Sequence, residues 1–175
     1  MSKKPSLLGP HSKPIGDTQT WLTPLHVLNA LGGPDSFDLD PCCASPMPWR
    51  TAKKMIHDTE DGLSAKWEGR VWCNPPYGRK LIDAWVDRMC FHNNGLMLVF
   101  SRTDVDWAQQ AFDCAAAVLF VKGRITFCTP DGNPCIDPKT GRESPAGAPS
   151  MVLAFGEQNI PSLFGLEGRV LYPKN

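Results

Sequence analysis

Short apolar runs, separated by proline, glycine and polar residues, alternate along the chain with stretches of helical periodicity. The apolar runs predict strands at 37–40, 71–73, 96–100, 117–121, 125–128 and 150–155, with a short further strand at 169–172. Apolar positions three and four residues apart predict core-facing helices at 25–31, 81–91 and 105–115. We expect these elements to form one α/β domain.

Polar residues mark the starts of two of these helices. Thr23 is expected to cap the first helix, with Pro24 at its first position. Thr103 and Asp106 resemble a capping box at the start of the third. Free N–H groups at the start of the first helix would suit a bound carboxylate, although a well-capped helix without a ligand is the simpler interpretation.

Two stretches have no apolar period. Residues 47–59 are irregular, with prolines and basic residues. Residues 129–149 are rich in proline, glycine and charge, and they join the predicted strands 125–128 and 150–155 in a hairpin-like unit. So long a connection in a compact domain is either functional or mobile.

The chain has 175 residues, of which 42% are hydrophobic and 21% charged, so it can build one folded core. We predict an N-terminal arm at 1–17 and a single domain at 18–175. No apolar run approaches the ~20 residues of a membrane span, and the start lacks the apolar stretch of a signal peptide. A cytoplasmic protein without membrane contact is expected. Seven cysteines without a Cys-x-x-Cys pair indicate reduced thiols and no metal site.

The net charge is zero, but charges of each sign gather in separate places. Acids gather at Asp35, Asp38, Asp40, Asp58, Glu60 and Asp61. Bases gather at Arg50, Lys53, Lys54, Arg79, Lys80, Lys122, Arg124, Lys139 and Arg142. One interpretation is an acidic pocket for a cationic small molecule, beside basic loops that contact phosphates. The other is ordinary scatter of charge over a surface.

The stretch from Asn74 to Gly78, Asn-Pro-Pro-Tyr-Gly, carries the most specific chemistry. Its prolines cannot extend the preceding strand, so a stiff loop lies at a strand's carboxyl end, where open α/β sheets bind ligands. The Asn74 side-chain oxygen and the Pro75 carbonyl would accept hydrogen bonds from an exocyclic amine such as adenine N6, which makes that weak nucleophile more reactive. Tyr77 would stack on the flipped base. The alternative is a rigid turn that only caps a strand.

An acid also ends the predicted strand 37–40. Asp40 is followed by Pro41, Cys42 and further small residues, which let a ligand approach the backbone closely. Asp40 would face a cationic ligand, and Asp38 is the second candidate, with an exposed strand position as its alternative role.

A paired-acid turn follows at 59–63. Glu60 or Asp61 would accept hydrogen bonds from ribose hydroxyls or from an adenine amine. A solvated acidic turn is the other interpretation.

The Asn-Pro-Pro-Tyr motif resembles the catalytic motif of amino-methyltransferases that use S-adenosylmethionine, above all the DNA adenine-N6 methyltransferases. The order Thr-Pro, Asp-Leu-Asp-Pro, Glu-Asp-Gly-Leu, Asn-Pro-Pro-Tyr-Gly and Gly-Arg-Ile-Thr-Phe, over residues 18–156, is similar to that of the short phage-encoded members. The resemblance to these phage-encoded enzymes implies a role in protecting phage DNA from host restriction. The resemblance implies a Rossmann-like class I methyltransferase fold, with a mostly parallel seven-stranded sheet, helices on both faces and an antiparallel last strand.

The resemblance also implies roles for individual residues. Catalysis is expected from Asn74, Pro75, Pro76 and Tyr77. Contacts with S-adenosylmethionine are expected from Thr23, Pro24, Asp38, Asp40, Pro41, Cys42 and Asp61. Within this set, Thr23 and Pro24 would hold the methionine carboxylate, and Asp61 would lie near the cofactor adenine.

The implied partner is DNA, which we expect to be double-stranded. Contacts with it are expected from Arg79, Lys80, Arg102, Lys122, Arg124, Lys139 and Arg142. No separate target-recognition domain is evident, so site specificity would be short or loose, or would come from the loop 129–149 or from a homodimer. Two alternatives stay open: the same chemistry on an RNA adenine or a protein glutamine, and a non-catalytic nucleic-acid-binding module with the same fold.

Overall fold

The computed structural model describes residues 21–77 and 81–173. Within these residues, one sheet contains the strands β1 (Leu39–Cys43), β2 (Lys54–His57), β3 (Val71–Cys73), β4 (Gly95–Phe100), β5 (Ala117–Val121), β6 (Ser150–Phe155) and β7 (Gly168–Leu171). The α-helices are α1 (Leu25–Ala30), α2 (Leu81–His92) and α3 (Asp106–Cys114). Two 3₁₀ helices span Pro34–Ser36 and Glu157–Gly165.

The seven strands follow the order β2-β1-β3-β4-β6-β5-β7 across the sheet. The first four are parallel neighbours, whereas β6 runs antiparallel to β4 and β5, and β7 runs antiparallel to β5. The prediction of a mostly parallel seven-stranded sheet is confirmed, but two strands are reversed rather than the last one alone. The carboxyl ends of β1, β3 and β4 lie on the same side of the sheet, so the loops that follow these strands are close to one another there.

Side chains of the central strands β3, β4, β5 and β6 alternate between two apolar clusters. Val71 and Cys73 belong to the cluster that includes Val86 of α2 and Ala108 of α3. Trp72, between them, belongs to the other cluster, where its ring centroid lies 5.5 Å from that of Phe37. Both faces of β3 are buried, which is why three successive apolar residues form this strand. Their burial fixes the position of the strand and of the loop that follows it.

Arg70 holds the opposite, amino-terminal end of β3. Its Nε donates to Asn159 Oδ1 at 2.7 Å, and its two terminal nitrogens donate to the hydroxyls of Ser36 and Ser162, each at 2.7 Å. The guanidinium carbon also lies 4.4 Å from the centroid of the Phe37 ring. One side chain thus joins β3 to both 3₁₀ helices, at the end of the strand opposite to the catalytic loop.

Most predicted strands are confirmed, namely β3 to β6 at their predicted positions, β7 one residue early and β1 shifted towards Cys43. Two assignments are wrong. Residues 47–59 contain the edge strand β2, whose sequence Lys-Met-Ile-His mixes exposed and buried positions and shows no apolar run. Residues 125–128 form no strand: Cys128 makes only isolated bridges, and β6 pairs with β5 instead.

Both predicted helix caps are wrong, although all three helices are present. α1 begins after Pro24, whose carbonyl already accepts from the backbone N–H groups of Val27 and Leu28, and no side chain in the described ranges caps it. α3 begins after Val105, again without a side-chain cap.

The expectation that all cysteines are reduced is also wrong, because Cys90 of α2 and Cys114 of α3 form a disulfide. Neither residue is marked by a motif, and only the packing of α2 on α3 brings them together. The division into an arm at 1–17 and a domain at 18–175 stays a prediction, since the arm lies outside the described residues. No helix among the described residues is long and apolar enough to cross a membrane.

Candidate active site

A cavity of about 790 Å³ opens at the carboxyl ends of β1, β3 and β4. Its size is within the range of about 300–1,000 Å³ that is usual for small-molecule sites. Of the predicted site residues, it is lined by Thr23, Asp40, Pro41, Cys42, Asp61, Asn74, Pro75, Pro76 and Tyr77. The fold therefore gathers four separate sequence segments around one cavity.

Asp38 does not line this cavity. It lies just before β1, at the amino-terminal end of the strands. There its carboxylate accepts from the Arg70 backbone N at 2.8 Å and from Lys53 Nζ at 2.9 Å. The hydrogen bond from the Arg70 backbone, followed by that from Lys53, lowers the pKa of Asp38. These contacts are structural, so we leave Asp38 out of the candidate site. Pro24 is likewise not a lining residue and serves as the N-cap of α1.

Asp40 is the buried acid of the cavity, with 3% of its surface exposed. Its carboxylate accepts from Thr51 Oγ1 at 2.5 Å and from the Cys42 backbone N at 3.0 Å. Burial raises the pKa of Asp40 to about 6, and the hydrogen bond from Thr51 opposes that rise. The group is therefore mostly ionised at neutral pH but poorly solvated, which favours a cationic ligand beside it.

Thr51 is a functional candidate that the sequence did not reveal. It is buried, with 2% of its surface exposed, lines the cavity and donates to Asp40. It lies in the stretch that was interpreted as irregular, and no motif surrounds it. Only recognition of β2 would have directed attention to the residues just before that strand.

Thr23 also lines the cavity. Its hydroxyl is buried and has no hydrogen-bond partner among the described residues. A buried hydroxyl without a partner costs about 1–3 kcal/mol, so a ligand oxygen placed beside it would be stabilising.

Three acids follow β2 at the cavity rim. Asp61 is committed to its own turn, because its carboxylate accepts from the backbone N–H groups of Leu63 and Ser64, each at 3.2 Å, and from Ser64 Oγ at 2.5 Å. These hydrogen bonds, with that from the Ser64 hydroxyl first, lower the pKa of Asp61. Glu60 accepts from the His57 backbone N at 3.1 Å. Asp58, directly after β2, also lines the cavity; it belongs to the acids that gather in the sequence, but the motifs predict no individual role for it.

Asn74 is oriented by the backbone of a distant segment. Its Nδ2 donates to the Trp21 carbonyl oxygen at 3.1 Å. A carbonyl oxygen can only accept, so the NH₂ group must face Trp21 and Oδ1 must lie on the other side of the amide. Asn74 thus presents its acceptor with a fixed orientation at the cavity.

Among the described residues, Tyr77 has an aromatic contact on one face of its ring. Its ring stacks on Phe100 of β4, with 4.7 Å between centroids and an interplanar angle of 22°. Its hydroxyl accepts a hydrogen bond from the Phe100 backbone N. Because 43% of the residue is still exposed, an aromatic surface is left for a planar ligand.

A protein-family model described as DNA N-6-adenine-methyltransferase (Dam) matches residues 11–163. The chain belongs to this family. The match spans every element from α1 to β6, including the whole cavity wall. No curated protein sequence matches the chain. This Dam-family protein is therefore an enzyme of DNA adenine-N6 methylation, and the resemblance noted from its motifs is confirmed.

The basic residues of this methyltransferase have different surroundings. Arg79 and Lys80 lie outside the described residues. Arg102 is exposed directly after β4, two residues beyond Phe100. Lys122 pairs with Glu167, and Arg124 donates to the carbonyls of Ala146 and Gly147 at 3.2 and 3.1 Å, so Arg124 fastens the long loop.

The loop 129–149 of the Dam-family chain carries charges of both signs. Lys139 and Arg142 are exposed, but Asp131, Asp137 and Glu143 lie in the same loop. Its backbone is pinned by hydrogen bonds such as Cys135 N to Phe127 O at 2.9 Å. Among the described residues, no group of three or more His, Cys, Asp or Glu side chains could hold a metal ion.

Proposed function

We propose that this enzyme transfers a methyl group from S-adenosylmethionine to N6 of an adenine that is flipped out of double-stranded DNA. The observation that carries the proposal is the oriented amide of Asn74, which lies in the same cavity as the buried carboxylate of Asp40. The class I methyltransferase fold is part of this proposal. It is supported by the two apolar clusters, because α2 and α3 contribute to one and α1 to the other.

The residues of the cavity fit S-adenosylmethionine. Asp40 suits its positive charge, and the Thr23 hydroxyl, which has no partner in the described part of the chain, suits its carboxylate. Asp58 follows β2 at the carboxyl edge, where an acid would accept hydrogen bonds from ribose hydroxyls. We assign this role to Asp58 rather than to Asp61, because the Asp61 carboxylate is engaged by Ser64 and Leu63. Pro41 and Cys42 form the wall beside Asp40.

When bound, S-adenosylmethionine supplies an electrophilic methyl group on its sulfonium. The protein prepares the nucleophile: Asn74 Oδ1 and the Pro75 carbonyl accept hydrogen bonds from adenine N6, which favours the pyramidal amine with a localised lone pair. A carbon–nitrogen bond then forms as the carbon–sulfur bond breaks. The surplus proton on N6 passes to water, so no strong base is required of the chain.

The exposed face of the Tyr77 ring stacks on the flipped base and positions it. Phe100 covers the other face of Tyr77, and Pro76 stiffens the loop between Tyr77 and Asn74. We propose that Arg102, which is exposed just after β4, contacts a DNA phosphate near the site. Contacts from Arg79, Lys80, Lys139 and Arg142, and a homodimer, remain predictions; Lys122 and Arg124 are weaker candidates because each already has a protein partner.

The test is transfer of isotope-labelled methyl from S-adenosylmethionine to unmethylated DNA, RNA and bulk protein, followed by nucleoside and amino-acid analysis. We expect labelled N6-methyladenine in the DNA. Label in RNA adenine or in glutamine, with none in DNA, would overturn the choice of substrate. No transfer despite cofactor binding by calorimetry would overturn the proposed reaction.

A further inference from the structure

Trp21 and Leu22 form a short segment between the catalytic loop and residue 128. The Leu22 backbone N donates to the Cys128 carbonyl, and the Cys128 N donates to the Leu22 carbonyl, each at 2.9 Å. The two bonds form an antiparallel bridge, and Leu22 is buried with 2% of its surface exposed. The bridge and the burial together fix the direction in which the neighbouring Trp21 carbonyl points.

That carbonyl selects one of the two orientations of the Asn74 amide. With the NH₂ group against Trp21 O at 3.1 Å, Oδ1 is turned away from Trp21. If the amide were flipped, Asn74 Oδ1 would face the Trp21 carbonyl oxygen. The two oxygens would repel each other, because neither has a proton to donate. An amide that rotates freely would present the acceptor to adenine for only part of the time.

The Trp21 side chain is tied to the other functional residue of the loop. Its ring meets Phe127 edge to face, with 6.5 Å between centroids, and Phe127 meets Phe100 edge to face at 6.3 Å. Phe100 in turn stacks on Tyr77 at 4.7 Å. The same segment therefore reaches Asn74 through a backbone carbonyl and Tyr77 through a continuous series of aromatic rings.

We propose that Trp21 is a positioning residue for methyl transfer, which fixes the Asn74 amide through its carbonyl and keeps that carbonyl in place through its indole. The proposal rests on the proposed function, because it assigns a purpose to the orientation of Asn74. It adds a requirement that the motif does not contain: a segment more than 50 residues away in sequence sets the geometry of the catalytic loop.

The kinetic test compares Trp21→Ala, Trp21→Phe and Trp49→Ala. Trp49 is the matched control, since it is also half-buried and packs against the same apolar cluster, but it does not line the cavity. We expect Trp21→Ala to lower kcat about ten- to a hundredfold with little change in KM for S-adenosylmethionine, because misplacement of a reacting group by about 1 Å can cost that much. Trp21→Phe should recover most of the rate, and Trp49→Ala should keep it.

A second test needs no enzyme turnover. In the wild-type protein, the Asn74 side-chain amide protons, assigned by their loss in Asn74→Ala, should exchange with solvent more slowly than those of exposed Asn29. In Trp21→Ala they should exchange as fast as those of Asn29, and in Trp49→Ala they should stay slow. This measurement decides the matter in the wild type even if Trp21→Ala does not fold.

The outcomes separate two failures. If the wild type methylates adenine but Trp21→Ala keeps its kcat, or if the Asn74 amide is unprotected in the wild type, the positioning role is wrong and the proposed function stands. Equal loss of kcat in Trp21→Ala and Trp49→Ala would reduce Trp21 to ordinary packing. If the wild type transfers no methyl group while its Asn74 amide is protected, the contact is present and the proposed function fails.

Discussion

Replacement of Asp40 by asparagine should stabilise the cofactor-free protein at neutral pH. An asparagine can keep both contacts of the carboxylate: its Oδ1 accepts from the Cys42 backbone N, and its Nδ2 donates to Thr51 Oγ1, since a hydroxyl can act as either donor or acceptor. What the substitution removes is a charge in a poorly solvated position. The gain in stability is therefore tied to the ionisation of one buried group.

The expected size follows from the pKa of Asp40. Burial raises this pKa from 3.8 to about 6 in the folded protein. Between these two values the folded state binds more protons than the unfolded state, so the free energy of unfolding falls as pH rises through this window and levels off above it. A shift of about two pKa units corresponds to about 3 kcal/mol, and access of water to the cavity should reduce this to about 1–3 kcal/mol.

The assay is urea unfolding of the wild type and of Asp40→Asn at pH 4, 6 and 8. Relative to the variant, the wild type should lose about 1–3 kcal/mol of unfolding free energy between pH 4 and pH 8. Asp61→Asn is the control of opposite sign: hydrogen bonds, that from the Ser64 hydroxyl first, lower the pKa of Asp61 from its usual 3.8, so this variant should be less stable than the wild type by a nearly constant amount between pH 6 and pH 8, and that deficit should shrink mainly below the lowest pH of this assay. A difference between wild type and Asp40→Asn that does not change from pH 4 to pH 8 would refute the reasoning.

Three further predictions follow from other contacts. Tyr77→Ala should lower productive DNA binding, measured as KM for DNA, more than Tyr77→Phe, which loses only the hydroxyl contact with the Phe100 backbone; equal loss in both would argue against stacking. Asp58→Ala should weaken S-adenosylmethionine binding in calorimetry by about tenfold, the effect of one hydrogen bond to a charged group, and unchanged affinity would remove Asp58 from the site. Arg70→Met should cost about 2–4 kcal/mol in urea unfolding because buried Asn159 and half-buried Ser36 and Ser162 all lose this partner, whereas Arg50→Met, which breaks an exposed ion pair, should cost less than about 1 kcal/mol; equal costs would contradict the role of Arg70.

The buried strands and the catalytic loop could be predicted from the sequence because their signals are local. β4 and β6 are apolar runs covered on both faces, and Asn74 to Tyr77 follow β3 directly. Such runs and motifs need no knowledge of the neighbours. β2 has no such signal, because an edge strand has one neighbour and only Ile56 of its four residues is buried.

The contacts that complete the site depend on tertiary structure and could not be predicted in the same way. Thr51 reaches Asp40 only because β2 packs beside β1, and the Trp21 carbonyl reaches Asn74 only through the bridge to Cys128. The same limit explains Asp38, whose position two residues before Asp40 suggests a shared role. Its side chain points to Lys53 and Arg70 at the amino-terminal end of the strands.

The most direct test of the central claim, that Asn74 Oδ1 activates adenine N6, is single-turnover methyl transfer to unmethylated DNA by the wild type and by Asn74→Ala at saturating S-adenosylmethionine. We predict that the substitution lowers the transfer rate by about 10²–10³-fold, the effect of losing one oriented electrostatic contact, while the cofactor dissociation constant measured by calorimetry stays within about threefold. An unchanged rate, or a loss explained entirely by weaker cofactor binding, would contradict the account.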